Sequence, residues 1–139
     1  MAIQPYLVFD GNCGDVLDFY EKVFQTGPAN RTRFGDSPPN PDYPLPEEAK
    51  DLMMHANLEV EGTTLMFSDA FPGMPYQPGS AITLALISSD AEKLRAYFEG
   101  LSENGEVIMP LQETFWSKVY GQVRDQFGIQ WQISHEGQQ

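Results

Sequence analysis

The order of elements in this chain is written twice. A strand at Ile3 to Phe9 and a turn at Asp10-Gly11-Asn12 lead into Val16, Phe19, Tyr20, Val23 and Phe24, which recur at helical spacing. Asn12 is the expected N-cap, with Asp15 in the first turn, and Gly27-Pro28 ends the element. A short strand around Ala29 to Phe34 follows, then Leu52 to Val60 and Thr63 to Asp69, joined by the two-residue connection Glu61-Gly62 of a hairpin. After Ala70 to Ser80 the series begins again. Ile82, Leu84 and Leu86 mark a strand, Asp90 caps a helix with Ala91, Leu94, Phe98 and Leu101 inward, and Gly105 breaks it. Glu106 to Met109 is a short strand. Phe115 to Tyr120 and Ile129 to Ile133 are read as a final hairpin about the turn Asp125 to Gly128. Both halves therefore read β-α-β-β-β, which suggests an internal duplication carried by element order rather than residue identity.

The expected fold is α+β, with module one at about 1–70, a linker at 70–80 and module two at about 81–135, in one domain spanning 1–139. Gly35 to Asp51 holds Pro38, Pro39, Pro41, Pro44 and Pro46 and is expected to be irregular, either functional or disordered.

Cys13 is the single cysteine, so no internal disulfide forms. A formal net charge of −12, with no basic run beyond Arg31 and Arg33, disfavours nucleic acid and anionic membranes as partners. No leader or long apolar span is apparent, and cytoplasmic localisation is the default.

Strand alternation separates two kinds of face. Leu7 and Phe9, Ala56, Leu58 and Val60, Leu65 and Phe67, Ile82, Leu84 and Leu86, and Ile129, Trp131 and Ile133 are expected against the helices. The opposite faces carry Gln4, Tyr6 and Val8; His55 and Asn57; Met66 and Ser68; Thr83 and Ala85; Trp116, Lys118 and Tyr120; and Gln130 and Gln132. Such a mixture either lies in water, as half-exposed antiparallel sheets do, or lines a pocket. The number of aromatic and apolar groups in it favours the pocket.

The residues Pro5-Tyr6-Leu7-Val8-Phe9-Asp10-Gly11-Asn12, Phe19-Tyr20-Glu21-Lys22-Val23-Phe24, His55-Ala56-Asn57-Leu58, and Trp116, Gly121, Asp125, Phe127-Gly128 and Trp131 resemble the vicinal oxygen chelate superfamily. That superfamily includes glyoxalase I, bleomycin-resistance proteins and extradiol dioxygenases, and the likeness is closest to its PhnB-like branch. It extends over essentially the whole chain. The resemblance implies two βαβββ modules whose eight strands curve around a shared cavity, commonly in a homodimer. In metal-using members the ligands come from the first and last strands of the modules, which by position fall near Gln4, Met66, Thr83 and Gln132. Two amides, a thioether and a hydroxyl are a poor set for a divalent cation, so neither metal nor other cofactor is expected. Some PhnB-like members are labelled methyltransferases, yet neither leading strand is followed by a Rossmann glycine fingerprint.

The expected ligand-binding residues are thus Gln4, Tyr6, His55, Asn57, Met66, Thr83, Trp116, Tyr120 and Gln132. His55 is the best catalytic candidate, either a general base or a histidine merely bonded to its neighbours. Asp69 and Glu59 are weaker acid partners for it, read as solvated or turn residues. Arg31 and Arg33 either clamp an anion or carry surface charge. Cys13 is read as unreactive and His135 as a solvated tail residue. Two functions follow. One is a metal-independent small-molecule binding protein of the bleomycin-resistance type, and the other a lyase or isomerase using His55, or a metal site completed by a partner subunit.

Overall fold

The computed structural model describes residues 1–136 apart from 37 and 39. The chain forms two compact units, 1–77 and 78–139. The first has four strands, β1 (Tyr6–Phe9), β2 (Asn30–Arg33), β3 (Met53–Val60) and β4 (Thr63–Asp69), with helix α1 (Cys13–Phe24). The second has β5 (Leu84–Ser88), α2 (Ala91–Ser102), β6 (Glu106–Gln112), β7 (Tyr120–Arg124) and β8 (Gln130–His135).

Each unit folds on one plan. The first sheet runs β1-β4-β3-β2 and the second β5-β8-β7-β6, and only the pairs β1 with β4 and β5 with β8 are parallel. A β-α-β-β-β sequence closes this way because the helix carries the chain back over the sheet, so first and last strands align in parallel. The duplicated element order is therefore also a duplicated topology.

In the first unit Phe9, Ala56, Leu58, Val60, Leu65 and Phe67 pack against Val16, Leu17, Tyr20 and Phe24 of α1. Phe67 meets the ring of Tyr20 at a 6.0 Å centroid distance and 54°, a tilted geometry that suits the ring quadrupoles. The β3–β4 hairpin turns through Glu61 and Gly62, both at positive φ (49° and 81°), between the paired residues Val60 and Thr63. This is the primed turn whose twist matches the flanking strands. In the second unit Leu86, Trp131, Ile133 and Val123 are buried with Leu94, Tyr97, Phe98 and Leu101 of α2. The Asp90 carboxylate caps α2 by accepting from Lys93 N–H at 3.1 Å.

Several expectations are corrected. The Asn12 side chain makes no capping bond to α1; Asp69 Oδ1 accepts from Gly11 and Cys13 N–H at 3.0 and 2.9 Å instead. The proline-rich loop contains short 3-10 turns at Phe34–Asp36 and Glu47–Ala49, while Ser37 and Pro39 lie outside the described residues. Ile82 is exposed, since β5 begins two residues later. Residues 115–119 are not a strand. There the hydroxyl of Ser117 donates to Val119 O at 2.7 Å and accepts from His135 N–H at 3.0 Å, which ties the segment to the end of β8 and starts β7 only at Tyr120.

Candidate functional site

Alternation leaves each sheet one face turned away from its helix. In the first unit the register places Tyr6, Met66, Asn57 and Asn30 in one row across the four strands. Val8 pairs Ser68 and His55 pairs Thr32 in the neighbouring row. Tyr6 and Val8 are exposed, and Met66, His55 and Asn57 are half-buried. The Tyr6 and His55 rings lie 5.9 Å apart at 45°. Asn57 Oδ1 accepts from Asn30 Nδ2 at 3.1 Å. Gln4 is exposed and lies two residues before β1 begins.

Four side chains form a chain of hydrogen bonds on the corresponding face of the second unit. Gln122 Nε2 donates to the Tyr120 hydroxyl at 3.0 Å, that hydroxyl donates to Gln132 Oε1 at 2.9 Å, and Gln132 Nε2 donates to Thr83 Oγ1 at 3.1 Å. Register explains the convergence, because Gln122 pairs Gln132 across β7 and β8 while Gln132 pairs Ala85 on β5. Trp116 packs edge-on against Tyr120 at 5.4 Å and 72°, and Phe115 against Trp116 at 4.8 Å and 85°. The result is an aromatic run, exposed at Phe115 and half-exposed at Trp116, beside a neutral amide-and-hydroxyl network. Thr83, Trp116, Tyr120 and Gln132 thus converge, as do Tyr6, His55, Asn57 and Met66 within the first unit. Gln122 is an addition. Extending the strand parity of Tyr120 by two residues places it on the same face, but a strand read as ending at Tyr120 hides it.

The other candidates take structural roles. Asp69 is 5% exposed, and its Oδ2 also accepts from Met53 N–H at 2.9 Å, so it sits on the helix side of the sheet rather than beside His55. Glu59 is exposed and bonds the Thr64 hydroxyl. The Cys13 thiol is buried, and that burial, reinforced by the neighbouring Asp69 carboxylate, pushes its pKa up to about 12; the helix N-terminus does not prevail. Arg31 is held by Asp18 at 2.7 Å and Glu21 at 3.1 Å, and Arg33 Nη1 donates to Asp51 O at 2.7 Å. His135 is no tail residue, since it closes β8 with Nε2 3.0 Å from Ser89 O. Asp125 is the second unit's buried carboxylate, accepting from Phe127 and Ile129 N–H and from the Trp131 indole at 2.9 to 3.1 Å.

Residues 2–133 match the family model of the Glyoxalase/Bleomycin resistance protein/Dioxygenase superfamily. The chain belongs to this superfamily. Protein YjdN of Escherichia coli is 34% identical over the whole of this chain and 98% of its own length. A crystal structure of PA1353 from Pseudomonas aeruginosa is also 34% identical, with a TM-score of 0.85 over 98% of both chains. A Bacillus cereus structure described as a PhnB protein and putative 3-demethylubiquinone-9 3-methyltransferase shares the fold, with a TM-score of 0.74 at 21% identity over 98% of this chain and 100% of that one.

For the metal that some relatives of the superfamily use, the residues at the corresponding positions do not fit. Gln4 and Met66 of the first unit and Thr83 and Gln132 of the second offer no carboxylate and no imidazole. The Gln132 carbonyl, the best oxygen donor of the set, already accepts the Tyr120 hydroxyl, and its amide is committed to Thr83. Among the described residues no three His, Cys, Asp or Glu side chains cluster as metal ligands.

Proposed function

We propose that this chain is a small-molecule binding protein of the glyoxalase/bleomycin-resistance type that works without a metal. The observation that carries this reading is the bonded set Thr83–Gln132–Tyr120–Gln122 beside Trp116. At a position where a metal-using relative needs a charged or imidazole ligand, the side chain is instead a neutral amide locked into a network. Such a network holds its groups in fixed geometry and still offers the Gln122 carbonyl and spare amide hydrogens to a ligand. Trp116 and Tyr120 supply an aromatic surface for a planar or cationic group, and Tyr6 with His55 supplies an aromatic pair in the first unit. A net charge of −12 adds a field that favours cations.

The protein named YjdN and the structure PA1353 support the assignment to this family, and neither name says what is bound. The family relation also favours a homodimer as the working form, which light scattering would report as twice the chain mass of 15.6 kDa.

Equilibrium dialysis against aromatic cations and glycopeptide antibiotics tests the binding reading. Saturable binding tighter than about 1 mM, weakened some ten-fold or more when Trp116 is replaced by alanine, is the expected result. No binding across the panel at that level removes the proposal.

A further inference from the structure

The second unit holds a cleft where α2 and the segment before β7 meet the end of β6, the edge strand of its sheet. It is open to the surface, has a volume of about 320 Å³ and is lined by Arg95 of α2, Leu111 and Gln112 at the end of β6, Glu113, and Lys118 and Val119 before β7. Along β7 the residues Gly121 and Val123 face α2, with Val119 buried ahead of them, while Tyr120 and Gln122 face the other way. Leu111 packs on that helix side too, where a Cβ built on Gly121 would come within 2.9 Å of Leu111 Cδ2 and 3.1 Å of Phe98 Cε2. The cleft shares no lining residue with the bonded set Thr83–Gln132–Tyr120–Gln122, although Gln112 pairs with Tyr120 across β6 and β7. Lys118, expected beside Trp116 and Tyr120, lines this cleft instead because residues 115–119 do not continue the alternation of β7.

Its charge is out of keeping with the rest of the chain. Only eight lysines and arginines stand against twenty acids, so cations have many nearby acids to pair with. Arg31 bonds Asp18 and Glu21, Lys50 bonds Glu47, Arg124 bonds Glu106 and Arg33 bonds a backbone carbonyl. Lys22 and Lys93 are engaged as well. Arg95 and Lys118 alone make no hydrogen bond or ion pair to any described residue, and both line this one cleft. Two cations that line one cleft without an acid bonded to either favour an anion between them.

We infer that this cleft is an oxyanion site, taking a small molecule with a carboxylate or phosphate group between Arg95 and Lys118. Arg95 supplies a planar fork that matches either group, and Lys118 a point charge. Leu111 and Val119 give an apolar wall that lowers the local dielectric and strengthens the attraction. The Gln112 amide can donate to the same oxyanion. Glu113 opposes a bare anion and favours a ligand that carries a hydroxyl or ammonium donor next to its acid group. This site shares no lining residue with the aromatic face and stands or falls independently of it.

Isothermal titration at low ionic strength with inorganic phosphate and with glycine, each against wild type, Arg95→Gln and Lys118→Gln, tests the inference. Saturable one-to-one binding of at least one probe with a dissociation constant below about 10 mM is expected, weakened about ten-fold or more in both variants. Which probe binds tells phosphate from carboxylate recognition. Both side chains are exposed, so unchanged circular dichroism should accompany the loss. Failure of both probes to bind, or binding that neither substitution weakens, overturns the inference.

Discussion

Asp69 shows how one side chain can hold a local structure whose cap lies far away in sequence. Its two oxygens accept from the N–H groups of Gly11, Cys13 and Met53 at 2.9 to 3.0 Å, so it stabilises the start of α1 and the start of β3 together. The negative charge also faces the positive end of the helix dipole. Asp69→Asn keeps the size but turns an amide N–H toward a backbone donor, and should cost about 2–4 kcal/mol as the loss of a buried charged acceptor does. Urea midpoints would read that loss, and a midpoint unchanged from wild type would contradict the role. Cys13 beside it makes a pH-dependent prediction. Its thiol ionises near 9.0 in the unfolded chain and only at about 12 in the fold. The unfolded state therefore gives up the proton first, so the contribution is constant below pH 9 and is lost as pH rises from about 9 to 12. Wild type minus Cys13→Ala urea midpoints should shrink from pH 8 to pH 10.5, while a difference independent of pH would refute the buried thiol.

At the scale of elements, close approach constrains the second unit. A Cβ built on Gly105, between α2 and β6, would meet Arg124 O at 2.5 Å and Leu101 O at 3.2 Å, both backbone atoms that cannot swing aside. Gly105→Ala should therefore destabilise by about 1–3 kcal/mol, the range for overpacking a fixed environment, and thermal unfolding measures it. Most elements were legible from alternation and helical spacing. Val16, Tyr20 and Phe24 recur every four residues, and Trp131 and Ile133 alternate with polar neighbours, so their buried faces follow from period alone. The last hairpin was legible in its turn and its second strand but not in its first. Phe115 to Tyr120 alternates as well as Tyr120 to Arg124 does, and period cannot choose between two registers of one pattern. The choice is made by Ser117, whose hydroxyl bonds the backbone of His135, 18 residues away, a tertiary contact invisible to local reading. The same limit hid Gln122 and left the cap of α1 assigned to Asn12, since Asp69 reaches Cys13 across 56 residues of sequence.

At the scale of the whole molecule, the family explains the architecture and leaves the chemistry to the site. Two units share one topology and each presents a mixed face, but the faces differ in kind. The first offers Tyr6, His55 and Met66, and the second a neutral amide network beside an aromatic run. No helix among the described residues is long and apolar enough to cross a membrane. The central claim, binding at this aromatic and amide face without a metal, has a built-in reporter. Trp116 is 52% exposed against Tyr120, whereas Trp131 is 2% exposed and bonded to Asp125. The most direct measurement is a tryptophan-fluorescence titration of chelator-treated protein with the tightest ligand from the dialysis panel. Metal-stripped protein should show saturable quenching at the affinity of the untreated protein, and the quenching should vanish in Trp116→Phe. Quenching that appears only after zinc, nickel or manganese is restored, or that persists in Trp116→Phe, would contradict the account.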